Sequence, residues 1–213
     1  MNHAVILAHP KPDSFCAALA GSYAAAARNL GHHVLVRDLY AMDFDPRLKA
    51  SEIPCETGYA CETDVAAERA ALRDVDVFTF VYPFWFNGPP AILKGYVDRV
   101  FSMGFGYDSA LAEMVPRLTG RKLFSITTSG APDHWVRQTG ALRTLVAQLD
   151  RHLAEVTGMA VADHLHFGGI VGELTQEDAD EIFEHVRTAV RRIGGGKARG
   201  RGRSLETRAG AAC

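Results

Sequence analysis

The sequence predicts an α/β fold: a doubly wound, five-stranded parallel sheet of order 2-1-3-4-5, with helices on both faces. Two observations carry this. Short apolar runs alternate five times with stretches of helical periodicity along the 213 residues, and each connection is long enough for a right-handed crossover. The runs are also apolar throughout rather than at every second residue, which is the pattern of strands buried on both faces. A sheet of this order gathers ligands at the carboxyl ends of its first and third strands, so the loops there are the ones to read for function.

The elements follow in order. Ala4-Val5-Ile6-Leu7-Ala8 is the first strand. His9-Pro10-Lys11-Pro12-Asp13-Ser14 breaks it, and Asp13 or Ser14 can cap the helix that follows. That helix is alanine-rich, spans residues 15–29 and is stopped by Gly31. Residues 33–38 form the second strand. Residues 39–62, with Pro46 and Pro54, read as a long surface excursion of a kind that often helps to build a site. Helical periodicity resumes over residues 64–73, and residues 75–82 form the third strand, with Phe78 and Phe80 in the core.

A turn over residues 83–88 leads to Pro89 and Pro90, which suit the start of a helix. In that helix Ile92, Leu93, Tyr96, Val97, Val100 and Phe101 share one face. Its Asp98 and Arg99 are expected at the surface or in a dimer contact. Residues 103–120 read as irregular. Residues 123–128 are the fourth strand, residues 136–157 a long helix and residues 159–167 the fifth strand. Thr175 caps the closing helix over residues 175–193, whose first turn is acidic. Residues 1–193 thus make one domain. The Gly/Arg-rich tail, residues 194–213, cannot bury a core and is expected to be a disordered, solvated extension.

Composition narrows the function. A hydrophobic fraction of 47% supports a sizeable core, and a net charge of −2 supplies no overall basic field for nucleic acid or membrane. The basic charge is concentrated in the tail, which holds five Lys or Arg against one Glu. Cys16, Cys55, Cys61 and Cys213 form no CxxC pair and read as free thiols of a reducing compartment. The opening Met1-Asn2-His3-Ala4 lacks the features of a signal peptide, and no apolar run reaches eighteen residues. A cytoplasmic protein without a membrane span is therefore expected. His164 and His166 share a face of the fifth strand, but two histidines alone fall short of a zinc site, so no metal is assigned. Asp133, His134 and Glu155 have no serine nucleophile to serve, which leaves hydrolase chemistry unsupported.

Three loops converge on the crevice. The first, His9 to Cys16, has neither GxGxxG nor a Walker lysine motif. It does end at a helix N-terminus, where free amides and the helix dipole favour an anion, with Ser14 and His9 as added donors. The second, Tyr82-Pro83-Phe84-Trp85-Phe86-Asn87-Gly88-Pro89-Pro90, holds three consecutive aromatics that are costly to expose. They cannot all enter one core, and they suit a wall for a flat aromatic ligand, with Asn87 bonding its rim. The third begins Thr127-Thr128-Ser129-Gly130, with hydroxyls beside a glycine that a ligand can approach closely.

On these residues the chain resembles the flavodoxin-like NAD(P)H:quinone oxidoreductases, including bacterial drug-activity modulators and ancillary subunits of potassium-efflux systems. The most specific stretch is Pro90-Ala91-Ile92-Leu93-Lys94-Gly95-Tyr96-Val97-Asp98-Arg99-Val100-Phe101. His9 with Ser14-Phe15, Pro83 with its aromatic loop, and Ser125-Ile126-Thr127-Thr128-Ser129-Gly130 fit as well. The resemblance implies that His9, Ser14, Phe15 and Cys16 hold a flavin's phosphates. It implies that Pro83, Phe84, Trp85, Phe86 and Asn87 line the isoalloxazine, and that Thr127, Thr128, Ser129 and Gly130 contact its other edge. The cofactor implied is FAD, with FMN as the alternative, and the co-substrate is NAD(P)H. Hydride would pass from NAD(P)H through the flavin to a small quinone-like acceptor in a two-electron ping-pong cycle. A homodimer is also implied, its sites completed by the partner, and the 103–120 stretch with Phe105 and Tyr107 is a candidate rim.

The chain departs from the family at two places. The animal quinone reductases carry a tyrosine and a histidine past the Thr-Thr step. Here Trp135 stands near the tyrosine position, as the one candidate catalytic side chain, and Ala141 near the histidine position, with His134 offset. An indole N–H donates but cannot relay a proton, so that charge relay does not carry over. Cys16 replaces an asparagine seen in some relatives. Two rival functions share the fold: an azo or nitro reductase, and a flavin-bound regulatory subunit of a membrane transport system.

Overall fold

Side chains alternate across a strand, so a strand that is apolar throughout feeds two cores at once. The computed structural model describes residues 1–53, 59–110, 113–172 and 174–195, and its central sheet follows this rule. The strands are β1 (Asn2–Leu7), β2 (His33–Asp38), β3 (Val77–Pro83), β6 (Lys122–Thr128) and β7 (Ala160–Phe167). They pair in the order β2-β1-β3-β6-β7, all parallel. This is the expected 2-1-3-4-5 arrangement, with β6 and β7 as its fourth and fifth members.

On one face Ala4, Ile6, Phe78, Phe80, Tyr82 and Leu123 pack with Leu72, Leu93, Tyr96 and Leu149. Leu72 directly follows α2 (Thr63–Ala71), Leu93 and Tyr96 belong to α3 (Ala91–Val100), and Leu149 lies in the segments that follow β6. On the other face Val5, Leu7, Val77, Val81, Phe124 and Ile126 meet α1 (Phe15–Asn29) and α7 (Gln176–Gly194). Helix α1 ends as its sequence requires: Gly31 takes φ 77°, and His32 N–H reaches back to the Ala27 carbonyl at 3.1 Å. Thr175 caps α7 by accepting the Asp178 N–H at 3.1 Å.

Three sequence expectations need correction. The 103–120 stretch is not irregular: β4 (Tyr107–Ala110) and β5 (Glu113–Pro116) pair antiparallel. Phe105 within it is partly buried, its ring edge-on against Phe78 and Phe101 beside the core. The long helix is broken into α4 (Asp133–Gln138), α5 (Ala141–Leu145), a π-turn over Val146–Arg151 and α6 (His152–Thr157). Gly140 in the left-handed region (φ 76°) separates α4 from α5. Arg99 is neither at the surface nor free for a dimer contact, for its side chain is buried against Glu52 and Asp64.

Among the described residues Cys16 and Cys61 are free thiols. Cys55, Cys213 and residues 196–213 of the tail lie outside the described residues. No helix among the described residues is long and apolar enough to cross a membrane.

Candidate functional site

At the carboxyl end of β1 the chain turns through His9 to Ser14 and enters α1. Ser14 is held in extended backbone (φ −71°, ψ 157°), and its Oγ accepts the Ala17 N–H at 3.2 Å. The first amides of a helix have no acceptor within it and carry the positive end of the dipole. His9 Nδ1 accepts the Lys11 N–H at 3.0 Å. The neutral ring therefore keeps its proton on Nε2, as a donor. Burial holds the His9 pKa below the usual 6.5, which favours that neutral form.

This stretch forms one wall of a cleft of about 520 Å³, closed by Pro83, Trp85, Thr128, Ser129, Gly130 and Ile170. Lys11 adds a cation and Asp13 an opposing charge. Cys16 is 2% exposed, with its Sγ 3.2 Å from Thr128 Oγ1. Burial pushes the thiol up to about 11, so it stays protonated and acts as a small packed side chain rather than a nucleophile.

A second cleft of about 390 Å³ adjoins the first and shares Ser129 and Gly130 with it. Its other walls are Phe84, Phe86, Asn87, Ala131, Trp135 and Val136. The aromatic loop forms a tight hairpin in which Trp85 and Gly88 exchange backbone hydrogen bonds of 2.9 and 3.1 Å. Its two central residues, Phe86 (φ 45°) and Asn87 (φ 59°), both lie in the left-handed region, as a two-residue turn of this hand requires. Asparagine tolerates that region, but phenylalanine there is uncommon and strained. In this turn the Phe86 ring stands wholly in solvent.

The three aromatics consequently do not make one continuous wall. Phe84 is buried with its ring edge-on to His166, 5.8 Å between centroids. Trp85 belongs to the first cleft, 5.8 Å from the His9 ring. Phe86 and Trp135 flank the second. Exposed aromatics of this size beside a concave surface mark a binding site.

The remaining expected residues are placed as follows. Pro83 ends β3, and the Phe84 N–H bonds the Thr128 carbonyl at 2.7 Å, joining the second loop to the third. Phe15 lines the first cleft, but its ring leans on Phe183 of α7 at 5.5 Å. Thr127 faces neither cleft: it is fully buried, and its Oγ1 lies 2.9 Å from His164 Nε2 and 2.8 Å from His166 Nδ1. Trp135 is half-exposed, Ala141 is buried and His134 is exposed.

Sequence reasoning missed the loop after β7. Ile170 N–H bonds the Ser129 carbonyl at 2.8 Å, and Gly169 N–H bonds the Ala131 carbonyl at 2.9 Å. A Cβ at Gly168 would lie 2.3 Å from the Asp133 backbone nitrogen, so this approach requires glycine. The pair Gly168-Gly169 at the end of a strand was the available signal.

The two clefts together present a helix N-terminus and donors at one end and exposed aromatics at the other. Such a donor set fits an elongated ligand with an anionic part and a flat aromatic part, as a flavin nucleotide has. Among the described residues no group of three or more His, Cys, Asp or Glu could hold a metal ion.

Comparisons with known proteins agree with this geometry. The family described as having a flavodoxin-like fold matches residues 1–192. An uncharacterized NAD(P)H oxidoreductase of Haemophilus influenzae is 34% identical over 171 residues, covering 80% of this chain and 85% of that protein. NAD(P)H dehydrogenase (quinone) 1 of Cavia porcellus is 33% identical over 145 residues, which are 60% of this chain and 53% of that enzyme. The chain thus matches only about half the length of the guinea-pig enzyme. Among solved structures, the NAD(P)H:quinone oxidoreductase of Methanothermobacter marburgensis superposes with a TM-score of 0.76 at 24% identity. That superposition covers 91% of this chain and 96% of the other and speaks to the fold alone.

Proposed function

Because the chain belongs to the flavodoxin-like-fold family of NAD(P)H:quinone oxidoreductase-like proteins, we propose that it binds a flavin and reduces a small quinone-like acceptor with NAD(P)H. The observation that carries this reading is the pair of adjoining clefts meeting at Ser129 and Gly130. The phosphate end would be held by the first amides of α1, Ser14, the His9 Nε2–H and Lys11. The likeness of the His9 to Phe15 loop to that of FAD-binding family members favours FAD over FMN. Once bound, the flavin supplies the chemistry of accepting and releasing hydride.

The protein's own share is positioning and exclusion of water. Trp85, Phe86 and Trp135 would hold a flat substrate over the open face. Backbone amides and the Ser129 hydroxyl are the donors available for charge that develops at the far edge. Cys16 and Trp135 supply no proton. Nicotinamide and acceptor would use the same aromatic-lined cleft in turn, which would make the kinetics ping-pong. The bare Phe86 ring supports a homodimer in which a second copy covers it. Initial rates measured against NADPH at several quinone concentrations test this cycle: parallel double-reciprocal lines are expected, and converging lines would refute sequential use of one site.

A further inference from the structure

The strands that end at the clefts also carry an unbroken line of polar side chains through the core. Ser125 and Thr127 of β6 lie in register with His164 and His166 of β7, on the sheet face that also carries Leu123. Asp150, from the π-turn, is fully buried above them. Its Oδ1 accepts the Ser125 hydroxyl at 2.8 Å, and its Oδ2 lies 2.5 Å from His164 Nδ1. Thr127 Oγ1 bridges His164 Nε2 at 2.9 Å and His166 Nδ1 at 2.8 Å. His166 Nε2 is 3.2 Å from Ser129 Oγ, and that hydroxyl can instead donate to the Ala131 carbonyl at 2.8 Å. Ser129 is the residue shared by the two clefts.

We propose that Ser129, His166, Thr127, His164 and Asp150 form a proton relay connecting the cleft to a buried carboxylate. The proposal rests on the functional reading above, in which NAD(P)H, a proton and a quinone give NAD(P)⁺ and hydroquinone, so each turnover consumes one proton. Neither Trp135, which lines the second cleft, nor the buried Ala141 can carry it.

The hydrogen-bond directions are consistent from end to end. With Asp150 as the carboxylate, His164 Nδ1–H donates to it, and His164 Nε2 accepts from the Thr127 hydroxyl. Thr127 then accepts from His166 Nδ1–H, and His166 Nε2 accepts from the Ser129 hydroxyl. A proton arriving at Ser129 Oγ shifts each of these protons one place along, and Asp150 becomes the acid. Both rings then carry Nε2–H, and Ser129, holding the new proton, turns to the Ala131 carbonyl. The reverse sequence returns one proton to the cleft. No charge is left on either ring in the two end states.

The surroundings suit passage rather than storage on the rings. Burial lowers His166 to about 4, which keeps it neutral at working pH. The groups facing it are His164 and Thr127 from the sheet, Phe84 from the aromatic loop, and Asp133 and Arg137 from α4. Beside Asp150 stand the Ser125 hydroxyl and the buried phenol of Tyr82, whose pKa is pushed well up by burial and then by the Asp150 charge.

Histidine ¹⁵N NMR of the flavin-free protein at pH 7 tests the wiring without any turnover. His164 and His166 are expected in one shared tautomer, with Thr127→Val breaking that agreement and Thr127→Ser restoring it. Opposite tautomers in the unaltered protein, or tautomers indifferent to Thr127→Val, would overturn the relay. In the flavin-loaded enzyme, Asp150→Asn keeps an acceptor for His164 but cannot take up a proton. It should slow turnover about 100-fold or more with KM for NADPH unchanged, and alter the solvent deuterium isotope effect. An unchanged rate and isotope effect in Asp150→Asn would also overturn it. A protein that binds no flavin would sink the functional reading alone, since the tautomer result is independent of it.

Discussion

Replacing Arg99 by methionine should destabilise the protein far more than its place on a surface-type helix suggests. The guanidinium uses its whole fork: Nε reaches Glu52 at 2.8 Å, Nη1 reaches Asp64 at 2.8 Å and the Asp45 carbonyl at 2.6 Å, and Nη2 reaches Asp64 at 3.0 Å. Its carbon lies 5.3 Å over the Phe44 ring. Arg99 and Glu52 side chains are each 1% exposed, whereas Asp64 is 50% exposed. The Asp64 pair is therefore screened and contributes little. The Glu52 pair decides the outcome. Removing one partner of a buried pair leaves an uncompensated charge, at a cost of about 3–5 kcal/mol. For a chain of this size that corresponds to a fall in Tm of roughly 6–20 °C. Urea and thermal unfolding measure it, and the double variant Arg99→Met with Glu52→Gln should recover most of the loss. A loss below about 1 kcal/mol in Arg99→Met would refute the reasoning, because it would place the pair in the range of surface ion pairs.

Three further outcomes are expected. Phe86→Ala should raise KM for quinone, since the ring stands clear of the core beside the second cleft; kinetics matching those of a surface control would count against its role. Ser14→Ala removes the cap on α1 and should cost about 1 kcal/mol together with affinity for flavin, both readable by melts with and without the cofactor. His3 and His166 are each lowered to about 4 by burial. The unfolded chain therefore binds more protons than the folded one between about pH 4 and 6.5. Their contribution, up to about 3 kcal/mol each, is complete above pH 6.5 and lost as pH falls through 4. His3→Gln should flatten part of that slope, and an unaltered profile would show that His3 is not the group responsible.

Strand order and the two helical layers were legible in the sequence because burial on both faces leaves continuous apolar runs and each crossover has ample length. Gly31, Thr175 and Ser14 marked helix ends through local chemistry alone. The β4–β5 hairpin was not legible, since its strands are only four residues each and show no clear alternation. Gly140 sits within an otherwise helical pattern, where periodicity alone does not mark the break. The burial of Arg99 was not legible, because a buried arginine and a surface one look alike until Glu52 and Asp64, remote in sequence, are brought to it.

The convergence of the His9, Trp85 and Ser129 loops was legible from topology, since all three follow adjacent strands at the carboxyl end of the sheet. What each side chain does within them was not. Consecutive aromatics turn in directions set by the backbone, and the left-handed Phe86-Asn87 pair aims Phe86 outward while Phe84 goes to the core. Likewise Thr127 looked like a cleft residue, but strand alternation turns it towards His164 and His166. The shared face of those two histidines was readable, whereas their link to Asp150 depends on a π-turn that periodicity does not reveal.

The central claim, a flavin site that exchanges hydride with NAD(P)H and a quinone, is tested most directly by the absorbance spectrum of the purified protein under anaerobic conditions. The account predicts flavin bands, present as purified or after reconstitution with FAD, that bleach when NADPH is added and return when menadione follows. Failure to bind either FAD or FMN, or bound flavin that NADPH does not bleach, would contradict it.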